Sequence, residues 1–272
     1  MLKFPGNMRP STIDEREKFY RSEFDVAGLK KWIGQRQGSL KFAMILGRHT
    51  GIVSAYHKND KDNVILIDDW KSGGDIREYA LEYLPESLYY DRNRYHDLSA
   101  CSKCGDYPES CPKCHKFSGQ QLAFDLDPEN VDCPYHGHIG KKMQLGRGLS
   151  FCMYEFRVVR RKAFELAEEL KGTYEDVGVV YSGRGFHVVV NDEKAYTMPR
   201  KERKALARRT ERNYPIDEWV TAGDSRLMRL PLSLNALVSR KCMIMKELRE
   251  FLKFDPRVSN IVIPAFLKSA RS

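Results

Sequence analysis

Asp125 and Asp127 stand two apart in Gln120-Gln-Leu-Ala-Phe-Asp-Leu-Asp127, alternating with the apolar residues Leu122, Phe124 and Leu126. That alternation predicts a short strand, ended by Pro128. Residues two apart on a strand share a face, so the two carboxylates lie side by side. Adjacent carboxylates repel. Mg²⁺ and Mn²⁺ are the usual compensation, being hard cations that take oxygen ligands. A lone Asp-x-Asp reads equally as a solvated strand end, and the neighbouring motifs decide between the two.

Tyr181-Ser-Gly-Arg-Gly-Phe-His187 is the second such stretch. Gly183 and Gly185 allow close backbone approach to a ligand, and Arg184 between them offers a planar donor fork suited to phosphate. Phe186 is expected to enter the core from the next strand, with His187 facing the opposite way, into the site. Alone, this is a tight hairpin with a surface arginine. The third stretch, from Val220 to Leu234, holds Asp224, Arg226, Arg229 and Ser233. Its arginines suit a triphosphate or a template backbone, against the plainer reading of a salt-bridged loop. Together, three carboxylates, a Gly-Arg loop, a histidine and two arginines are the parts of two-metal nucleotidyl transfer.

Cys101-x-x-Cys104 and Cys111-x-x-Cys114 form two thiolate pairs at zinc-knuckle spacing, in a segment too polar to bury free thiols. Cys133-Pro-Tyr-His136 is a further two-ligand element. It replaces one pair or joins His115, His138 or Cys152 in a partial second site. Cys242 reads as an ordinary thiol.

These residues need elements to hold them. Thr12-Ile-Asp-Glu15 is a capping box before a helix through Phe19 and Tyr20. A second helix carries Leu29 and Trp32, and a third runs from Asp75 to Leu84. Strands are expected at Leu40–Leu46, Gly51–Tyr56, Val64–Ile67, Val177–Tyr181, Phe186–Val190 and Ile261–Ile263. Glu155 to Lys171 has a helical apolar stripe of Phe156, Val159, Ala163, Leu166 and Leu170, with Gly172 placed to close it at C′. Thr197 is expected to cap a basic helix with Pro199 in its first turn, running through Arg200–Arg212. Met243 to Phe251 is read as a helix. Helices and strands mix without βαβ alternation, which predicts an α+β domain over residues 1–272 with a mixed sheet. The zinc knuckle, 101–114 or, in its longer form, up to 136, would be inserted within it.

The chain has 272 residues, enough for a substantial core, and a net charge of +9 from 46 Lys and Arg against 37 Asp and Glu. A basic balance favours nucleic acid as partner. Met1 to Pro10 has no apolar core, and no apolar run is long enough to span a membrane, so an intracellular protein without a membrane partner is expected.

The order Asp-x-Asp, Ser-Gly-x-Gly-x-His, then Val-Thr-x-x-Asp-x-x-Leu-x-Arg-x-Pro-x-Ser-Leu resembles the catalytic small subunit of archaeo-eukaryotic DNA primase. Phe19-Tyr-Arg-Ser-Glu-Phe24, Leu84-Pro-Glu-Ser-Leu-Tyr-Tyr90 and Phe254-Asp-Pro256 extend the likeness over most of the chain. The resemblance implies that Asp125, Asp127 and Asp224 hold Mg²⁺ or Mn²⁺. It implies that Ser182, Gly183, Arg184, His187, Arg229 and Arg226 meet the incoming nucleotide. It further implies Zn²⁺, a single-stranded DNA template, nucleoside triphosphates, and a large subunit or C-terminal iron–sulfur region supplied elsewhere. The Ser-Gly to Gly-x-His loop is one residue shorter than usual in the family, as in some plasmid and viral primase-polymerases. Asn235 and Leu237 stand where the family has His and Lys, leaving Arg240 or Lys241 as substitutes. Primer synthesis is the expected activity. A repair or plasmid primase-polymerase extending ends with deoxynucleotides is one alternative, and a zinc-stabilised nucleic-acid-binding module without activity is another.

Overall fold

The computed structural model describes residues 2–35, 40–95, 117–223, 227–246 and 251–268. They form two compact units. The first gathers Pro10–Gln121, Arg226–Cys242 and Pro264–Ser272, and the second Met1–Arg9, Leu122–Ser225 and Met243–Ile263.

In the first unit, α1 (Ile13–Ser22) begins with the expected capping box: Glu15 N donates to Thr12 Oγ1, and Thr12 N to the Glu15 carboxylate. α2 (Val26–Gly34) is capped by Asp25 and buries Leu29 and Trp32. There follow β1 (Phe42–Ile45), β2 (Val64–Ile67), α3 (Gly73–Tyr83), β3 (Ser87–Asp91), β4 (Asn93–Tyr95) and β5 (Phe117–Gln120). α3 stops at Leu84, which takes a left-handed φ of 45° just before Pro85. The strand expected at Gly51–Tyr56 is absent. Ser54 instead caps a 3-10 turn at Ala55–Asp60, and Tyr56 is exposed. β1 already has β2 and β3 as neighbours, so no edge is left beside it for this segment.

The second unit runs through β6 (Leu122–Leu126), a 3-10 turn at Pro128–Asn130, α4 (Ile139–Gln144), α5 (Met153–Lys171), β7 (Val177–Tyr181) and β8 (Phe186–Val190). α6 (Glu193–Tyr196), α7 (Arg200–Glu211) and α8 (Glu218–Ala222) come after. The chain then supplies β9 (Leu227–Arg229), β10 (Leu234–Asn235) and β11 (Arg240–Lys241) to the first unit and β12 (Met243–Met245) to the second. It closes with α9 (Ala265–Lys268) in the first.

The sheet orders are β2-β1-β3-β9 and β12-β7-β8-β6, with smaller β4-β5 and β10-β11 ladders. Every ladder between described strands is antiparallel. The α+β class stands, but the sheets are not of mixed strand direction. In the second unit α5 lays its expected apolar stripe on the sheet. Phe156 meets Tyr181, Phe186 and Phe254 with centroids 5.6–6.3 Å apart. Burying each large apolar side chain contributes roughly 2–3 kcal/mol.

Four more expectations fail locally. Met243–Met245 is a strand on β7, not the start of a helix, because its apolar residues complete the sheet edge. Ile261–Ile263 is a turn closed by Val262 N donating to Ser259 O. Pro199, not Thr197, stands at the N-cap of α7, since Thr197 ends α6 and its hydroxyl donates back to Glu193 O. Gly172 ends α5 with an ordinary helical φ of −66° rather than at a left-handed C′.

Candidate active site

β6 and β8 place Asp125 directly opposite His187 and Leu126 opposite Phe186. Opposed residues in an antiparallel pair share a face. Phe124, Leu126, Phe186 and Val188 therefore make the apolar face under α5, and Asp125 and His187 lie on the other. His187 Nε2 is 3.6 Å from Asp125 Oδ1. Asp127 continues in extended conformation, so it falls on the side of Asp125.

The Ser182–Gly185 turn joins β7 to β8. Ser182 N donates to Gly185 O at 3.0 Å, and Gly185 N to Ser182 Oγ at 3.1 Å. Gly183 has a φ of 100°, which only glycine adopts readily. At Gly185 the reason is proximity: an added Cβ would sit 2.2 Å from Leu126 O and 2.6 Å from Asp127 Oδ1. The turn is thus pressed against the acidic strand end. It carries Arg184 inward, 5% exposed, where Nη2 donates to Asp127 Oδ2 at 2.8 Å and also to Glu129, and Nη1 to Leu149 O at 3.1 Å. The plain reading of Arg184 as a surface side chain is excluded.

Burial pushes the Asp125 carboxyl well above the usual carboxylate range, and repulsion from Asp127, Asp217 and Glu129 adds to it, against Arg184. Burial also raises Glu129, with Arg184 opposing. Burial works against the charge of Arg184, but Asp127 and Glu129 outweigh it and raise its pKa. Asp125 Oδ1 is buried with no hydrogen-bond partner among the described residues. A concentrated negative charge with an orphaned oxygen is what a divalent cation relieves. Glu129 and Asp217 escaped the sequence reading. Glu129 is brought in by the 3-10 turn after Asp127. Asp217 arrives through an isolated bridge between Ile216 and Leu126, with its own N–H donating to Asp125 O at 2.9 Å.

A second cluster lies in the same unit. Cys133, His136, Cys152 and Glu155 each offer a ligand atom, all within 4.8 Å of one another. Cys133 Sγ is 3.4 Å from His136 Nδ1 and 4.0 Å from Cys152 Sγ. Tetrahedral zinc with ordinary bond lengths sets sulfur–sulfur separations of about 3.8 Å and sulfur–nitrogen separations of about 3.5 Å. Three donors therefore already stand at zinc spacing. Glu155 is the available fourth. Its Oε1 lies 2.8 Å from the buried Lys142 ammonium, and its Oε2 accepts from Cys152 N at 2.7 Å. Lys142 also donates to Val131 O at 2.6 Å and Glu129 O at 3.1 Å, tying this cluster to the turn that carries Glu129.

An uncharacterized DNA primase small subunit-like protein of Archaeoglobus fulgidus is 50% identical over 269 residues, covering 98% of this chain and 95% of that one. The chain belongs to the DNA primase small subunit family. Primase small subunits PriS of Thermococcus onnurineus and Pyrococcus abyssi are each 25% identical over 73% of the chain, which matches 49% of their own length. The chain thus spans about half of those two relatives. The polymerase domain of Mycobacterium tuberculosis ligase D, solved in complex with DNA, is 14% identical, with a TM-score of 0.49 over 100% of this chain and 93% of that one. No family model matches the chain.

The third stretch divides between the units: Val220 to Gly223 belongs to the second, and Leu227 to Leu234 to the first. Arg229 on β9 pairs with Tyr89 on β3, its guanidinium 5.1 Å from the ring centroid, and its Nη1 is buried with no partner among the described residues. Ser233 is buried and donates to Leu230 O at 2.7 Å. Arg240 is buried and donates to Ser239 O at 2.9 Å, while Lys241 lies 3.5 Å from Glu23. Asp224, Arg226 and the segment Cys101–Cys114 lie outside the described residues. The strand residues that bracket that segment, Tyr95 and Phe117, pair with each other. Cys242 is a buried thiol.

Proposed function

We propose that this protein is a DNA-templated nucleotidyltransferase of DNA replication that makes short primers from nucleoside triphosphates. The observation that carries this reading is the crowding of Asp125, Asp127 and Glu129 around an orphaned Asp125 oxygen, beside His187 and Arg184. Such a site is electrostatically unfavourable as it stands and is relieved by divalent cations. Asp125 and Asp127, with Asp224, are the residues that would hold Mg²⁺ or Mn²⁺. Bound there, such ions would supply Lewis-acid activation of a primer 3′-hydroxyl and countercharge for the leaving pyrophosphate.

The remaining roles belong to the chain. Arg184 fixes the direction of Asp127 and Glu129 through two hydrogen bonds, and its charge opposes the burial that raises Glu129. His187, held opposite Asp125 by the β6–β8 register, orients the incoming phosphates together with the Ser182–Gly185 turn. Arg229, with an unused donor and Arg226 nearby in sequence, supplies countercharge to the triphosphate. Cys133, His136 and Cys152, with Glu155, would hold a structural Zn²⁺. The Cys101–Cys114 set, by its spacing, would hold another. Single-stranded DNA is the template, and a large subunit or iron–sulfur region is the expected partner.

A labelled-nucleotide assay tests this. Ribonucleotides joined on an unprimed template support primer synthesis. Deoxynucleotides added only to existing ends would place the protein with the repair and plasmid primase-polymerases. Template binding without incorporation would leave a binding module.

A further inference from the structure

Helix α5 buries one stripe on the sheet and turns a second outward. Tyr154, Arg157, Val158 and Arg161 are spaced by three and four residues, so they line one face. Together with Arg160 and Leu252 they line an open groove of about 400 Å³. The aromatic content continues beyond the helix. Tyr135, in the turn between the proposed zinc ligands Cys133 and His136, packs edge-on against Tyr154 with centroids 5.9 Å apart. Both rings remain open to solvent, Tyr135 at 75% and Tyr154 at 42%. Two large aromatics standing together on the surface are unusual unless something covers them.

The charge around them is positive and poorly compensated. Arg157 is exposed and donates to no acceptor among the described residues. Among the described residues Arg161, 64% exposed, reaches only Glu165 at 3.6 Å, and Glu165 is already held by Lys162 at 2.8 Å. Arg160 donates to Phe254 O, and burial together with repulsion from Arg157 lowers its pKa despite Asp255. An arginine stripe with so little acidic compensation, beside two exposed tyrosines, matches a flexible polyanion that carries its own flat rings. Double-stranded nucleic acid keeps its bases inside, whereas a single strand presents both phosphates and base faces.

We propose that Tyr135, Tyr154, Arg157 and Arg161 form a binding surface for single-stranded nucleic acid, outside the acidic site. This rests on the polymerase reading above and adds to it a place where the strand is held. α5 covers the apolar face of the sheet, and Asp125 and His187 occupy the other. The surface therefore grips strand away from the point of reaction, and the Cys133–His136 turn presents one of its two rings.

Fluorescence anisotropy with a labelled oligothymidylate of about 12 nucleotides, without nucleotide or Mg²⁺, tests it. Tyr135→Ser with Tyr154→Ser is expected to weaken binding about tenfold or more, while Tyr135→Phe with Tyr154→Phe restores it. Arg157→Glu with Arg161→Glu is expected to weaken binding and to flatten the salt dependence by about 1.4, the slope of two lost phosphate contacts. Zinc content equal to wild type shows that the Cys133–His136 turn is intact in these variants. Asp125→Asn should bind the oligonucleotide as wild type does and yet incorporate nothing, which separates this surface from the acidic site. Wild-type binding in both the serine and glutamate variants would overturn the proposal and leave the face to a protein partner. Absence of binding by the wild type would overturn it too, while incorporation on a primed template would still uphold the polymerase reading.

Discussion

The Asp125 carboxyl sits where its charge is disfavoured, and that has a measurable consequence. Burial and three neighbouring acids raise its folded-state pKa. The fold tolerates this group best while it is protonated. As pH rises past the unfolded value, about 3.9, the charged form is penalised and stability falls. Asp125→Asn should therefore raise the melting temperature of metal-free protein at pH 7, with the gain fading as pH falls toward 4. Differential scanning fluorimetry across that range checks it, and a variant less stable than wild type at pH 7 would contradict it. Gly185 makes a second residue-scale case. Gly185→Ala has no room beside Leu126 O and Asp127 Oδ1, so a loss of about 1–3 kcal/mol is expected in a urea titration. The Asp125–Asp127 pair was legible in the sequence because strand periodicity alone puts two such residues on one side. Glu129 and Asp217 were not, since a 3-10 turn and a single bridge bring them in. Arg184 read as a phosphate donor, and its engagement with Asp127 and Glu129 became visible only once the turn was seen against the strand.

At the scale of elements, local pattern held where one face was buried. The α1 capping box and the α5 stripe carry their own signals, and β7 and β8 read as short apolar runs on either side of a glycine turn. The Met243–Met245 strand does not, because its state is decided by the free edge of β7 and not by its own periodicity. The Gly51–Tyr56 segment fails for the converse reason, as both sides of β1 are taken. What ties that loop down instead is Glu86, fully buried before β3. It accepts from Thr50 N at 2.8 Å, Thr50 Oγ1 at 2.7 Å and His49 Nδ1 at 2.6 Å. Burial opposes the Glu86 charge, but these donors outweigh it and bring its pKa down to about 2. Such a group adds stability above its unfolded pKa of about 4.3 and loses it as pH falls toward 2. Glu86→Gln should lower stability by about 1–3 kcal/mol at pH 7, and the difference should shrink below pH 4. Denaturation curves at the two pH values measure it, and a difference independent of pH would remove the carboxylate from the explanation.

For the whole molecule, the family assignment rests on likeness along nearly the full chain, while the activity rests on one charged strand end. Zinc content is also measured at this scale. Purified protein should carry about two zinc ions, one for each four-donor set. Cys133→Ser with Cys152→Ser should remove one of them and lower thermal stability, as measured by elemental analysis and calorimetry. Unchanged zinc in a folded variant would rule out the Cys133 cluster. The central claim, however, is that the Asp125–Asp127 strand performs divalent-ion-dependent nucleotide transfer. The direct measurement is template-directed incorporation of a labelled nucleotide by wild type, Asp125→Asn and Asp127→Asn in saturating Mg²⁺ or Mn²⁺. Wild type should incorporate, and each folded variant should lose nearly all turnover. Near-normal turnover in either variant would contradict the account.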